Sequence, residues 1–167
     1  DFGQMELRLA AAVAQDEKMI QAFKDGQDLH TVTAEAIGCT RQIAKSANFG
    51  LLYGSGANGL RNYAAGSGVS MTLEEAKKVR SDWFKEFEGI AKWHKEASDA
   101  ANEANCIPAI RIPGSGMLRN LVGDANRLTI RCNTPVQGSG AAILKAALGE
   151  LWPLVREAGE STVRIAA

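Results

Sequence analysis

The stretch RQIAKSANFGLLYG, Arg41 to Gly54, sets Arg41, Lys45, Phe49 and Tyr53 four residues apart and contains no acid. In a helix each such step drifts by only about 40° around the axis, so the four side chains form one slanting stripe of two cations followed by two aromatics. Cations near a helix N-terminus oppose the macrodipole, and something negative should compensate them. A bound anion is one candidate, because an Arg fork and a Lys point charge suit a polyphosphate while Phe49 and Tyr53 offer flat surface for a sugar and a base. Acids supplied from elsewhere in the fold are the other.

Working outward, MELRLAAAVAQ (5–15) reads as a helix, and Asp16 as the N-cap of EKMIQAFKDG, with Gly26 as its stop. A third short helix is expected to start at Thr31, and Thr40 to cap the opening stretch. Gly54, Gly56, Gly59, Gly66 and Gly68 predict a loop-rich connection. Thr72 and Glu75 form a T-x-x-E capping box ahead of a long amphipathic region whose stripe of Val79, Trp83, Phe87, Ile90 and Trp93 belongs in a core. IPAIRIPGSGMLRNL predicts a strand pair, 138–152 a helix interrupted at Pro153, and TVRIAA a closing strand. Helices dominate and strands sit at the edges, which is an α+β, helix-rich pattern.

The bulk properties fit about one domain: 167 residues, 46% hydrophobic and 23% charged, enough to bury a core. No apolar run of about 18 residues and no leader-like start occurs, so no membrane partner is expected. Cys39, Cys106 and Cys132 are odd in number and lack a C-x-x-C, which fits reduced core thiols in a cytosolic setting. His94 and the three tryptophans read as structural. Net charge is zero, yet the signs are segregated. No acid lies between Glu35 and Glu74, and only Asp124 lies between Glu103 and Glu150, against Arg111, Arg119, Arg127, Arg131 and Lys145. A neutral chain can thereby present locally positive surface to a polyanion.

The opening stretch resembles motif B of the family A DNA polymerases: Arg, three residues, Lys, three residues, an aromatic and Gly, then Tyr-Gly. DFGQMELRLAA at the start is similar to their motif A, DLHTVTA to the Asp-Ile-His-Thr segment between the two, and NTPVQGSGAAILKAAL to their Asn-x-Pro-x-Gln-Gly palm helix. The four matches come in family order and run through essentially the whole chain.

The resemblance implies fingers and part of the palm of a right-hand polymerase, with palm at 1–24, fingers and the return to palm at 25–126, and palm again at 127–167. It implies template-directed addition of deoxynucleotides to a primer 3'-hydroxyl with two Mg²⁺ ions, the partners being primer-template DNA and dNTPs, in a monomeric cytoplasmic enzyme of a bacterium or a phage-infected cell. Asp1 becomes the catalytic carboxylate and metal ligand, joined by the Phe2 backbone carbonyl. Gln4, Glu6, His30, Arg41, Lys45, Phe49 and Tyr53 fall in the nucleotide site. There His30, Arg41 and Lys45 hold the triphosphate, Phe49 packs on the sugar in the family's dideoxy-discriminating form, and Glu6 with Tyr53 excludes a ribose 2'-hydroxyl. Asn133 and Gln137 contact primer-template, and either Arg127 or Arg131 replaces the family's arginine at the position of Thr129.

Some features depart from the pattern. The His-Asp-Glu run of motif C is absent, and VRIAA resembles the strand that leads to it, so the sequence reads as a fragment that lacks the second catalytic Asp and is inactive alone. Ala142 stands where the palm helix usually has Asp. A single-subunit RNA polymerase shares the motif B framework, but a ribose-excluding Glu6 would be useless there. A binding module that has lost the chemistry is the rival from another class, and Asp1 leans against it.

Overall fold

A computed structural model describes residues 3–103 and 108–158. Among them are eight helices and one two-stranded sheet: α1 Met5–Ala14, α2 Glu17–Lys24, α3 Leu29–Ile37, α4 Arg41–Leu52, α5 Ala57–Gly66, α6 Leu73–Glu86, α7 Glu88–Asn102, β1 Ala109–Arg111, β2 Leu118–Asn120 and α8 Leu128–Ala158. The helix-rich α+β expectation holds.

Caps fix most of the boundaries. Asp16 accepts Met19 N–H at 3.0 Å, Thr40 accepts Ile43 N–H at 3.3 Å, and Thr72 and Glu75 exchange side-chain to backbone bonds in a complete capping box. Gly26 follows α2 at φ +69°, in the left-handed region that glycine enters without penalty. Asp16 also accepts Ile90 N–H at 3.2 Å, so one buried carboxylate caps α2 and the first turn of α7 together. That approach leaves no room beside it: a Cβ at Gly89 would lie 2.6 Å from Asp16 Cα.

Three expectations need correction. The third helix starts at Leu29 and not at Thr31, because Asp28 caps it, accepting Thr31 N–H at 3.3 Å and Thr31 Oγ1–H at 2.8 Å. The glycine-punctuated connection contains α5, where Leu60 and Ala64 are fully buried one turn apart and Leu60 packs over Gly50 of α4, a Cβ there lying 3.4 Å from Leu60 Cδ1. The last helix begins at Leu128 and runs through both Pro135 and Pro153. An internal proline costs about 3 kcal/mol. Burial of Cys132, Thr134, Val136 and Ser139 against the rest of the fold offsets that cost around Pro135.

The stripe along α6 and α7 is core, although Phe87 breaks it into two helices at φ −106°, ψ 74°. Trp83, Phe87 and Ile90 are fully buried with Leu7, Met19, Leu29, Leu51, Leu52 and Val136, while Val79 and Trp93 pack against that cluster. Trp152 departs from the structural reading of the tryptophans, being 53% exposed. Cys132 is buried, which pushes its thiol up to about 12, whereas Cys39 is only half-buried. The hairpin pairs Ala109 with Asn120 and Arg111 with Leu118. Ile112 just beyond it lies against Gly138 of α8, where a Cβ would come within 2.5 Å of Ile112 Cδ1. Cys106, TVRIAA, Asp1 and Phe2 lie outside the described residues. No helix among the described residues is long and apolar enough to cross a membrane.

Candidate functional site

Helix α4 forms as its spacing predicts, and its stripe runs from Arg41 in the first turn to Tyr53 at the C-cap. The negative charge that the N-terminal cations require comes, for Arg41, from within the fold. Arg41 Nε donates to Asp28 Oδ2 at 2.7 Å, across from the cap of α3. Gln4 Nε2 donates to the other carboxylate oxygen, Asp28 Oδ1, at 2.9 Å. Burial pushes the Asp28 carboxyl up, but the hydrogen bonds from Arg41, Thr31 and Gln4 outweigh it and hold it well below the usual carboxylate range. Lys45 is exposed and meets no carboxylate among the described residues, so the need for an external anion rests on Lys45 more than on Arg41.

His30 projects from α3 onto the same stripe, its ring 5.6 Å from that of Phe49 and tilted by 48°. Burial lowers its pKa, the nearby Arg41 and Lys45 charges act in the same direction, and Asp28 opposes them. The residue is only 5% exposed, and Asn48 Nδ2 lies 3.0 Å from its Nδ1.

At the other end of the stripe three elements converge. Tyr53 Oη donates to Glu6 Oε2 of α1 at 3.0 Å. Gln137 Nε2 of α8 donates to Glu6 Oε1 at 2.5 Å and to Tyr53 Oη at 3.2 Å. Burial and the Glu6 charge raise the Tyr53 phenol above its ordinary value, so it stays protonated and able to donate. Glu6 therefore has both oxygens engaged, in a wall built from residues 47 and 131 positions away in sequence.

Gln4 Oε1 and Asn133 Oδ1 are buried and meet no hydrogen-bond partner among the described residues. Such atoms ordinarily meet water or a ligand. Asn133 sits one turn before Gln137 on α8. Arg127 pairs with Asp124 at 2.9 Å, and Arg131 donates to the Ala125 carbonyl at 3.1 Å. The structure thus brings together Gln4, Glu6, His30, Arg41, Lys45, Phe49, Tyr53 and Gln137, and holds Arg127 and Arg131 to the turn that precedes α8. Among the described residues no three His, Cys, Asp or Glu side chains converge in a metal-binding cluster.

The sequence reading leaves Asp28 and Asn48 out of the site, and places Trp83 in the core without its bond to Asn48. Asp28 carried a signal, a D-x-x-T start ahead of a helix. Asn48 did too, being an amide wedged between Ala47 and Phe49 on the apolar side of α4. Trp83 gave none, because its indole reaches Asn48 only through tertiary packing.

By fold and by the order of its motifs, this is part of a polymerase domain. The chain belongs to DNA polymerase family A, whose profile matches residues 1–166. It is 38% identical over 158 residues to DNA polymerase I of Aquifex aeolicus, covering 89% of this chain and 26% of that protein. It is 30% identical over 174 residues to the thermostable DNA polymerase I of Thermus thermophilus, covering 95% of this chain and 20% of that protein. Among solved structures, the POL domain of Pol1 from M. smegmatis in complex with DNA primer-template and dNTP matches with a TM-score of 0.75 and 26% identity, over 95% of this chain and 30% of that one. The chain spans about a quarter or less of the length of these curated relatives.

Proposed function

We propose that the chain supplies the incoming-nucleotide site of a DNA-directed DNA polymerase, with residues 25–126 as fingers between palm segments at 1–24 and 127–167. The observation that carries this reading is the convergence of Glu6, Tyr53 and Gln137 at one end of the Arg41–Lys45–Phe49 stripe, with His30 packed on Phe49. Phosphoryl transfer asks mostly for positioning and charge neutralisation, and these groups offer both.

In this reading Lys45 and Arg41 neutralise the triphosphate, and Arg41 divides its donors between the nucleotide and Asp28. Phe49 packs on the deoxyribose. Glu6 cannot swing away from the sugar without breaking bonds to both Tyr53 and Gln137, which makes it a rigid wall against a 2'-hydroxyl. Asn133 contributes its unpartnered oxygen to primer-template contact, and Arg127 and Arg131 flank the same strand. Asp1 and the Phe2 carbonyl, the proposed Mg²⁺ ligands, lie outside the described residues, and the described ones provide no cluster of their own for the ions. Bound Mg²⁺ would lower the pKa of the primer hydroxyl and stabilise the leaving pyrophosphate. No second carboxylate of the His-Asp-Glu kind occurs in the 167 residues, so the chain by itself is expected not to extend a primer. A cytoplasmic setting agrees with the bacterial relatives and the unpaired thiols.

The test is in two parts. The chain should bind a deoxynucleoside triphosphate, and Lys45→Ala should weaken that binding by about 10-fold or more, as loss of a charge-assisted contact does. Placed in the matching span of the Aquifex aeolicus enzyme, residues 1–166 should support primer extension that Asp1→Asn abolishes. A folded chimera whose extension survives Asp1→Asn overturns the catalytic assignment, and nucleotide binding indifferent to Lys45 overturns the site.

A further inference from the structure

Trp83 Nε1 lies 2.7 Å from Asn48 Oδ1, deep in the core between α6 and α4, where both residues are fully buried. An indole N–H donates and cannot accept, so the oxygen end of the Asn48 amide is the end that faces Trp83. The amide nitrogen then faces His30 Nδ1 at 3.0 Å. An amide NH₂ has no acceptor capacity either, which leaves Nδ1 as an unprotonated acceptor and puts the proton of the neutral ring on Nε2. Thr33 completes the network. Its hydroxyl donates to the Leu29 carbonyl at 2.7 Å and accepts the second amide hydrogen at 3.1 Å.

Protonating Nδ1 would set an N–H against the amide NH₂. Turning the amide to accept it would set that NH₂ against the Trp83 indole instead, so an imidazolium breaks one of the two bonds whichever way Asn48 points. The charges facing the ring are Asp28 on the N-cap of α3 and Arg41 and Lys45 on α4, while α6 brings only the neutral indole. Nε2 makes no hydrogen bond to a described residue and remains the one donor the ring can offer outward.

We propose that Asn48, oriented by Trp83, is a positioning residue that holds His30 as the neutral Nε2–H tautomer, so that His30 meets a nucleoside triphosphate as a hydrogen-bond donor without charge. The nucleotide half of this inference rests on the function proposed above. The tautomer half does not. The charge at the site is then left to Arg41 and Lys45, and His30 contributes direction.

The chain has two histidines, so ¹⁵N-histidine NMR resolves them, with His30→Gln assigning the signals. The expected result is a neutral His30 ring protonated on Nε2 at about pH 7. Asn48→Asp presents an acceptor to both neighbours, and should shift protonation to Nδ1 and raise the titration midpoint by about one unit or more, as a facing carboxylate does. Trp83→Phe keeps a ring in the core but frees the amide, and should give a mixture of tautomers even if Asn48→Asp does not fold. A wild-type ring protonated on Nδ1, or a Trp83→Phe variant with an unchanged pure Nε2–H ring, overturns the positioning role. Adding dATP should perturb Nε2 and leave Nδ1 in place. An Nε2–H ring that ignores dATP overturns the nucleotide reading and the use assigned to the tautomer, while leaving Asn48's hold on the ring intact.

Discussion

Tyr53 Oη donates to Glu6 Oε2 at 3.0 Å, tying the C-terminal end of α4 to the first turn of α1. Because Gln137 bonds to both residues, the wall has two supports that can be removed one at a time. Tyr53→Phe keeps the ring but removes its bonds to both Glu6 and Gln137, leaving Glu6 held by Gln137 alone, so deoxynucleotide binding should change little and discrimination against ribonucleotides should relax by a few fold. Glu6→Ala removes the wall itself, and discrimination should fall by about 10-fold or more, in line with the loss of a hydrogen-bonded charged group. Competition binding of dATP against ATP measures both. A Glu6→Ala chain with undiminished preference would remove Glu6 from the sugar site.

Asp28 links the cap of α3 to Arg41. Its folded pKa is depressed, so its contribution to stability is fully present above the unfolded value of about 4 and is lost as pH falls toward the lower folded value. Asp28→Asn retains a competent cap and loses the ion pair. Its melting temperature should lie below that of the unaltered chain at about pH 7, and the gap should close as the solution is acidified below about pH 4. A gap that is constant with pH would show that the pair does not stabilise the fold.

Gly89 meets the backbone of Asp16 where that residue caps two helices. Gly89→Ala forces a methyl into the 2.6 Å gap to Asp16 Cα and should destabilise by about 1–3 kcal/mol, the usual range for overpacking. Asp16→Ala strips the caps from both helices at once and should cost about 2 kcal/mol or more. Chemical denaturation gives both numbers. A neutral Gly89→Ala would mean that α2 and α7 can separate there freely.

The second half of α8 turns Ile143, Leu144, Leu148, Leu151, Trp152 and Leu154 to solvent. Contiguous apolar exposure of this kind favours association. The chain should bind an apolar fluorescent dye while folded and elute from size exclusion larger at higher concentration, and Leu148→Lys with Leu154→Lys should suppress both effects. Concentration-independent elution of the unaltered chain would contradict this.

What could be read from sequence was what is local in the chain. Asp16, Thr40 and Thr72 each lie three residues from the N–H they cap in their own helix, and the α4 stripe needs only a helical period, whereas the second bond of Asp16, to Ile90, spans 74 residues. The start of α3 was misplaced by two residues because Thr31 and Asp28 are both good capping types, and the carboxylate won by binding both the N–H and the hydroxyl of Thr31. α5 was hidden because glycine weakens a helix signal that Leu60 and Ala64 carry alone, and the start of α8 because Pro135 reads as a stop unless tertiary burial is known. In the candidate site, motif order is what assigns Glu6, Arg41 and Tyr53 to one nucleotide site. Their connections were not legible, since Asp28 is 13 residues from Arg41 and Gln137 is 131 from Glu6.

That last separation has a kinetic meaning. The helices can close on their neighbours early, over short loops, whereas the bond between Gln137 and Glu6 waits until nearly the whole described chain has been brought round on itself. Contacts of this kind form late, because the intervening chain must be closed before they can stabilise it. The wall proposed for the sugar is therefore among the last parts of the fold to be assembled, and the two ends of α4 belong to different stages of folding: its N-terminal cap closes over three residues, whereas Tyr53 at its C-cap waits for α1 and α8.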